Sequence, residues 1–222
     1  MTLKEKIRRQ IGKHPEGEVF ILDDLKFEKK DRPSVTAIVS LFKSEGMIKS
    51  AGKGMYYRPK VSFLGVDPIS QKSLIEYYLR AYDGYLSGNY AYNHMGLTEQ
   101  VPSIVTIATE SPRRILKFST FAITFTKAYA SNKKYGEKVL RILDAAKDAE
   151  NIPGTTKYDI CRNLQKIISL LSNEEKDSLF HAALNYPPGT RYTVAGMVSD
   201  EHASQLLDSI RPDTLRKLEH AN

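Results

Sequence analysis

The stretch that most restricts the fold runs from Asp31 to Lys60, DRPSVTAIVSLFKSEGMIKSAGKGMYYRPK. Val35, Ile38, Val39 and Phe42 recur at helical spacing, which predicts one apolar stripe on a helix over 32–45. Asp31 is placed to cap it, Pro33 suits its first turn, and Gly46 suits its end. Met47–Lys49 and Met55–Arg58 read as two short strands. They are joined through Ser50-Ala51-Gly52-Lys53-Gly54, whose glycines permit the positive φ of a tight hairpin.

Upstream, Leu3, Ile7 and Ile11 mark a shorter helix, with Thr2 and Glu5 in capping-box positions and Gly12 and Pro15 near its end. Val19 to Leu22 is a short apolar run that suits a strand leading into a small helix. The predicted order is helix, short strand, helical turn, helix, β-hairpin. That order is the arrangement of a winged helix-turn-helix, here expected over residues 1–62. Residues 63–222 are expected to form a second domain, with the boundary in SFLGVDPIS. The predicted class is α+β: an N-terminal winged helix-turn-helix, then a mixed domain with a small antiparallel sheet and several helices.

Charge supports the division. Residues 1–60 hold 14 Lys and Arg against 8 Asp and Glu, while the rest hold 19 against 18, so nearly all of the net +7 lies in the first quarter. A basic module on a neutral body suits a polyanionic partner, double-stranded DNA above all. A helix in the major groove needs short polar side chains against base edges and longer cations at its margins. Ser34, Thr36 and Ser40 meet the first need. Arg32, Lys43, Lys49, Lys53, Arg58 and Lys60 meet the second, as base or phosphate contacts. For any one lysine, a solvated surface charge explains the residue equally well. Strand alternation turns one of Tyr56 and Tyr57 inward and the other outward. Tyr57, nearer the cations, is the candidate contact.

In the second part, SQKSLIEYYLRAYDGYL predicts a helix over 73–86 with Leu74, Tyr78, Tyr82 and Tyr85 near one side. A tyrosine stripe of this kind suits core packing or a partner interface. Tyr90, Tyr92 and His94 lie in an expected short helix, with His94 as a hydrogen-bonded core or interface group. SIVTIAT, RRILKF and TFAITFTK suggest about three antiparallel strands. Arg113, Arg114 and Lys117 form a second basic cluster that suits DNA, a partner surface or a solvated turn. The remaining segments carry the helical repeat, and YPPGTRY is expected to stop the chain sharply.

Other classes find little purchase. Cys161 is the single cysteine, so no intrachain disulfide forms, which suits a reducing cytoplasm. The charged N-terminal stretch is unlike a signal peptide, and no run of about 18 apolar residues suggests a membrane span. No G-x-S-x-G, P-loop, G-x-G-x-x-G or H-E-x-x-H pattern occurs. The chain has no Gly-Ser turn for a nucleotidyltransferase. Its five histidines lack metal-ligand spacing. No catalytic residue, metal or cofactor is therefore expected.

The phrases YLSGNYAYNHMGLTEQVPSIVTIAT, RRILKF, AITFTKA and NYPPGTRY, together with the N-terminal SVTAIVSLFKSEGMIKSAGKGMYYRP, resemble the AbiEi-type antitoxins of bacterial type IV toxin–antitoxin systems. The resemblance covers most of the chain. It implies a winged helix that binds operator DNA, typically inverted repeats, and represses its own operon. It also implies a larger domain that counteracts a nucleotidyltransferase-like toxin. A non-DNA alternative remains: an interaction module that uses the winged helix and helix 73–86 for partner contact.

Overall fold

A computed structural model describes every residue except Leu64, Arg113, Arg114, Ser119, Thr120 and Asn222; the side chains of Asp200 and Ala221 also lie outside the description. The chain divides into two compact units, Met1–Arg80 and Ala81–Asn222, so the division falls at Arg80 rather than at residue 62.

In the first unit, α1 (Leu3–Lys13) opens on the expected capping box. Thr2 Oγ1 accepts from the Glu5 amide at 3.2 Å, and Glu5 Oε2 accepts from the Thr2 amide at 2.9 Å. Strand β1 (Val19–Ile21) follows, then single 3-10 turns at Leu22–Asp24 and Lys29–Asp31. Helix α2 (Arg32–Ser44) continues directly from the second turn. Asp31 makes no side-chain cap, because the turn already delivers the backbone to the helix. Gly46, at φ +76°, reverses the chain after α2, a left-handed conformation that costs glycine least. Strands β2 (Lys49–Gly52) and β3 (Met55–Tyr57) form the hairpin, turning on Lys53 and on Gly54 at φ +73°. Short strands β4 (Val61–Ser62) and β5 (Gly65–Val66) and helix α3 (Gln71–Ala81) complete the unit.

The sheet order is β1-β3-β2, antiparallel throughout. Alternation gives this sheet two covered faces. Phe20 lies with Ile7, Ile11, Val35, Val39, Phe42 and Ile48 in the core under α1 and α2, and Tyr56 packs against them. Val19, Met55 and Tyr57 are buried on the other face. There Tyr78 of α3 donates its hydroxyl to the Met55 sulfur at 3.4 Å. Each fully buried aliphatic or aromatic side chain of this kind contributes roughly 1.5–3 kcal/mol.

The second unit begins with β6 (Tyr85–Ser87) and α4 (Gly88–His94). The expected helix over 73–86 ends at Ala81: Asp83 at φ 48° and Gly84 break it, and Tyr85 enters a strand. Strands β7 (Ile104–Thr109), β8 (Leu116–Lys117) and β9 (Ala122–Lys127) follow. Helices α5 (Asn132–Tyr135), α6 (Glu137–Lys147), α7 (Lys157–Ser169), α8 (Asn173–Ala183), α9 (Pro188–Ala195), α10 (Asp200–Asp208) and α11 (Pro212–Ala221) make up the rest. Pro188 starts α9, so the YPPGTRY stretch opens a helix instead of only ending one.

This sheet is mixed, in the order β6-β7-β9-β8, and not the antiparallel three-stranded sheet expected. β7 and β9 run parallel from Ile104↔Ala122 to Thr109↔Lys127. The connection over 110–121 is about the dozen residues that a return to the start of a parallel neighbour needs. Along the way it leaves β8 antiparallel on the outer edge of β9. Tyr85, Val139, Leu140, Leu143, Leu164, Leu179, Val194 and Leu206 belong to the core that the helices build here.

Candidate nucleic-acid interface

Helix α2 turns Val35, Val39 and Phe42 inward, all at 0% exposure. The 3.6-residue repeat then leaves Ser34, Thr36, Ala37, Ser40 and Lys43 on the solvent side, and all five are exposed. Thr36 donates to the Arg32 carbonyl at 2.8 Å, which turns that hydroxyl back on its own helix. Among the described residues, Ser34 and Ser40 make no intramolecular side-chain hydrogen bond. The outer face of α2 is therefore low and open, with Ser34, Thr36 and Ser40 set beside Ala37 and the exposed Leu41.

The two arginines behave unlike the lysines. Arg32 pairs with Asp23 at 2.5 Å, both more than half exposed, so the pair is a weak one that an incoming phosphate can displace. Arg58 is differently placed. Its guanidinium donates to the carbonyls of Gly12 at 3.1 Å and His14 at 2.8 Å, and reaches Glu16 at 3.5 Å. These carbonyls lie at the C-terminal end of α1, where unpaired acceptors and the helix dipole favour a cation. The expectation that Arg58 contacts phosphate is thus corrected: the side chain is 29% exposed and ties the hairpin to α1. Tyr57 is corrected too. It is 4% exposed and belongs to the face under α3, while Tyr56, half-buried, lies on the other face 6.1 Å from the Phe20 ring.

Lys43, Lys49, Lys53 and Lys60 are exposed, and none has an ion-pair partner among the described residues. Lys53 occupies the turn between β2 and β3.

A second group of cations escaped the sequence reading. Lys6, Arg9 and Lys13 follow one another on α1 and join Lys26 around a groove of about 470 Å³. Gln10 holds the groove's far wall in place, since its side-chain amide donates to the Lys26 carbonyl at 3.0 Å and accepts from the Lys26 amide at 2.6 Å. None of these four cations is ion-paired among the described residues, whereas their neighbours Lys4 and Arg8 both reach Glu45, at 3.7 and 3.2 Å. The signal was present in the spacing of residues 6, 9 and 13, which share one helix face.

In the second unit, Lys117 is exposed on β8, and the expected partners in its basic cluster, Arg113 and Arg114, lie outside the described residues. His94 is exposed on α4 and packs 4.7 Å from the Tyr90 ring, so the core position expected for it belongs to Tyr92. The tyrosine stripe does not form one partner-facing surface: Tyr78 and Tyr85 are 5% and 0% exposed, one in each unit. Among the described residues no group of three His, Cys, Asp or Glu is placed to hold a metal, and no helix is long and apolar enough to cross a membrane.

No curated protein matches the sequence. Residues 6–179, from within α1 into α8, match a family described as a family of unknown function, DUF6088. That match spans well over half of the 222 residues, and the chain belongs to this family.

Proposed function

We propose that the chain is a cytoplasmic DNA-binding autorepressor and antitoxin of the AbiEi type, which acts by binding rather than by catalysis. The observation that carries the DNA-binding part is the open polar face of α2, followed directly by a hairpin whose Lys49 and Lys53 have no acidic partner among the described residues. In this reading α2 is the recognition helix and the β2–β3 hairpin is the wing. The order β1-β3-β2 is the strand order that such a module requires, with the helix between α1 and α2 reduced to 3-10 turns. Ser34 and Ser40 meet base edges. Lys43, Lys49, Lys53 and Lys60 meet phosphates, and Arg32 joins them by exchanging Asp23 for DNA. The operator is expected to carry inverted repeats, and its gene neighbour to encode a nucleotidyltransferase-like toxin.

The antitoxin part rests on the resemblance of the GLTEQVP and NYPPGTRY phrases. The first lies between α4 and β7, and the second leads into α9.

Fluorescence anisotropy with the promoter upstream of the gene tests the DNA-binding part. The expected result is a complex whose affinity falls steeply with salt, about −0.9 in log–log slope per phosphate contacted. No complex at low salt overturns it. Co-expression with the neighbouring toxin gene tests the antitoxin part: growth must be rescued by the full chain.

A further inference from the structure

The second unit holds a cavity of about 610 Å³, within the size range of small-molecule sites. Its lining includes a carboxylate, Asp144, that is only 3% exposed. Ser87 donates to one Asp144 oxygen at 2.6 Å and Tyr186 to the other at 2.9 Å. The fully buried Tyr85 hydroxyl lies beside this carboxylate and the Tyr186 hydroxyl. No cation is ion-paired with Asp144 among the described residues. A buried carboxylate needs hydrogen-bond donors or a cation to offset its lost hydration, and here two hydroxyls supply the donors. Burial pushes its carboxyl above the ordinary range, against the opposing pull of hydrogen bonds from Ser87, Tyr186 and Tyr85 and of the nearby Lys147 charge. A buried acid of this kind facing a cavity is a feature of ligand sites.

The rest of the lining is complementary in a specific way. Lys127, at the end of β9, is exposed and has no ion-pair partner among the described residues. Lys147 is already paired with Asp148, which also accepts from Tyr92 at 2.6 Å. Tyr129 lines the cavity with one ring face on Tyr186 at 4.9 Å, and it is 44% exposed. A buried acceptor, an aromatic face and a free cation suit a flat ring with N–H donors joined to an anionic group.

We propose that this cavity binds a nucleoside monophosphate. The base directs its N–H donors toward Asp144 and lies on Tyr129, and the phosphate is held by Lys127. The proposal is independent of the DNA-binding reading, since its residues all lie in the second unit.

Isothermal titration of the full chain with AMP, GMP, CMP, UMP and inorganic phosphate tests it. At least one nucleotide is expected to bind once per chain, with inorganic phosphate about tenfold weaker or worse. Lys127→Ala should lower that affinity about tenfold, the loss of one charge-assisted contact, and leave the melting curve unchanged. Thr126→Leu, an exposed change on the same wall, should also weaken binding by filling the cavity. The proposal is overturned if no nucleotide binds, if phosphate alone binds as well, or if either variant binds with wild-type affinity.

Discussion

Arg58 and Lys53 lie five positions apart on the same hairpin; the structure ties Arg58 to α1 and leaves Lys53 exposed, and under the proposed DNA-binding reading one pair of substitutions separates their roles. Arg58→Ala removes two charge-assisted hydrogen bonds to the end of α1, at 3.1 and 2.8 Å. Bonds of this kind are worth roughly 1.5–3 kcal/mol each when shielded. The side chain is 29% exposed and water partly replaces it, so the combined loss is about 2 kcal/mol. Lys53→Ala removes an exposed side chain with no ion-pair partner among the described residues, and its cost lies within about 0.5 kcal/mol. Their effects on operator binding are reversed. Lys53→Ala removes one phosphate contact and flattens the log K against log salt slope by about 0.9, whereas Arg58→Ala leaves the slope unchanged. Urea unfolding followed by circular dichroism, together with anisotropy titrations at four salt concentrations, measures both quantities on each variant. An Arg58→Ala protein that kept its unfolding midpoint but lost a unit of slope would refute the reasoning, because the guanidinium would then face DNA rather than α1.

Three further outcomes follow from buried tyrosines. Burial and the nearby Asp144 or Asp148 push the Tyr85, Tyr92 and Tyr186 phenols well above the ordinary value. Their contribution is therefore fully present below the unfolded phenol pKa of about 10 and is lost above it, at about 4 kcal/mol per pH unit for three protons. Alkaline unfolding should show Tyr85, Tyr92 and Tyr186 ionising only with the transition, read by tyrosinate absorbance. Gradual ionisation of all 13 tyrosines before unfolding would contradict the burial of these three. Tyr57→Ala should cost about 3–5 kcal/mol in urea unfolding, as large aromatic truncations in a core do. Tyr57→Phe should bind DNA as the wild type does, since a ring that is 4% exposed offers nothing to a duplex.

Much of the short-range chemistry was legible. The Thr2–Glu5 capping box, the inward stripe of Val35, Val39 and Phe42, the reversal at Gly46 and the Lys53-Gly54 turn all depend on residues spaced no more than four positions from the next. The α+β class, the outward polar face of α2 and the exposed lysines follow from the same periodicity. The fate of long side chains was not legible. Arg58 reads as a phosphate contact until Gly12, 46 positions away, arrives beside it. Alternation leaves open which of Tyr56 and Tyr57 faces outward until α3 covers the second face of a sheet that has no free side. The stripe from Leu74 to Tyr85 fits one helix on paper, yet Asp83 and Gly84 divide it between two units.

By itself the sequence determined that α1, α2 and a following hairpin form, which face of α2 is turned outward, and that the positive charge gathers in the first quarter. Those properties are sums over neighbours along the chain. The tertiary structure alone decided which cations remain free, that β7 and β9 pair in parallel, and that Asp144 meets Ser87 and Tyr186 beside a cavity. Each of these depends on groups from distant positions meeting in space, and no local pattern encodes the partner that a buried acid or a long cation will find.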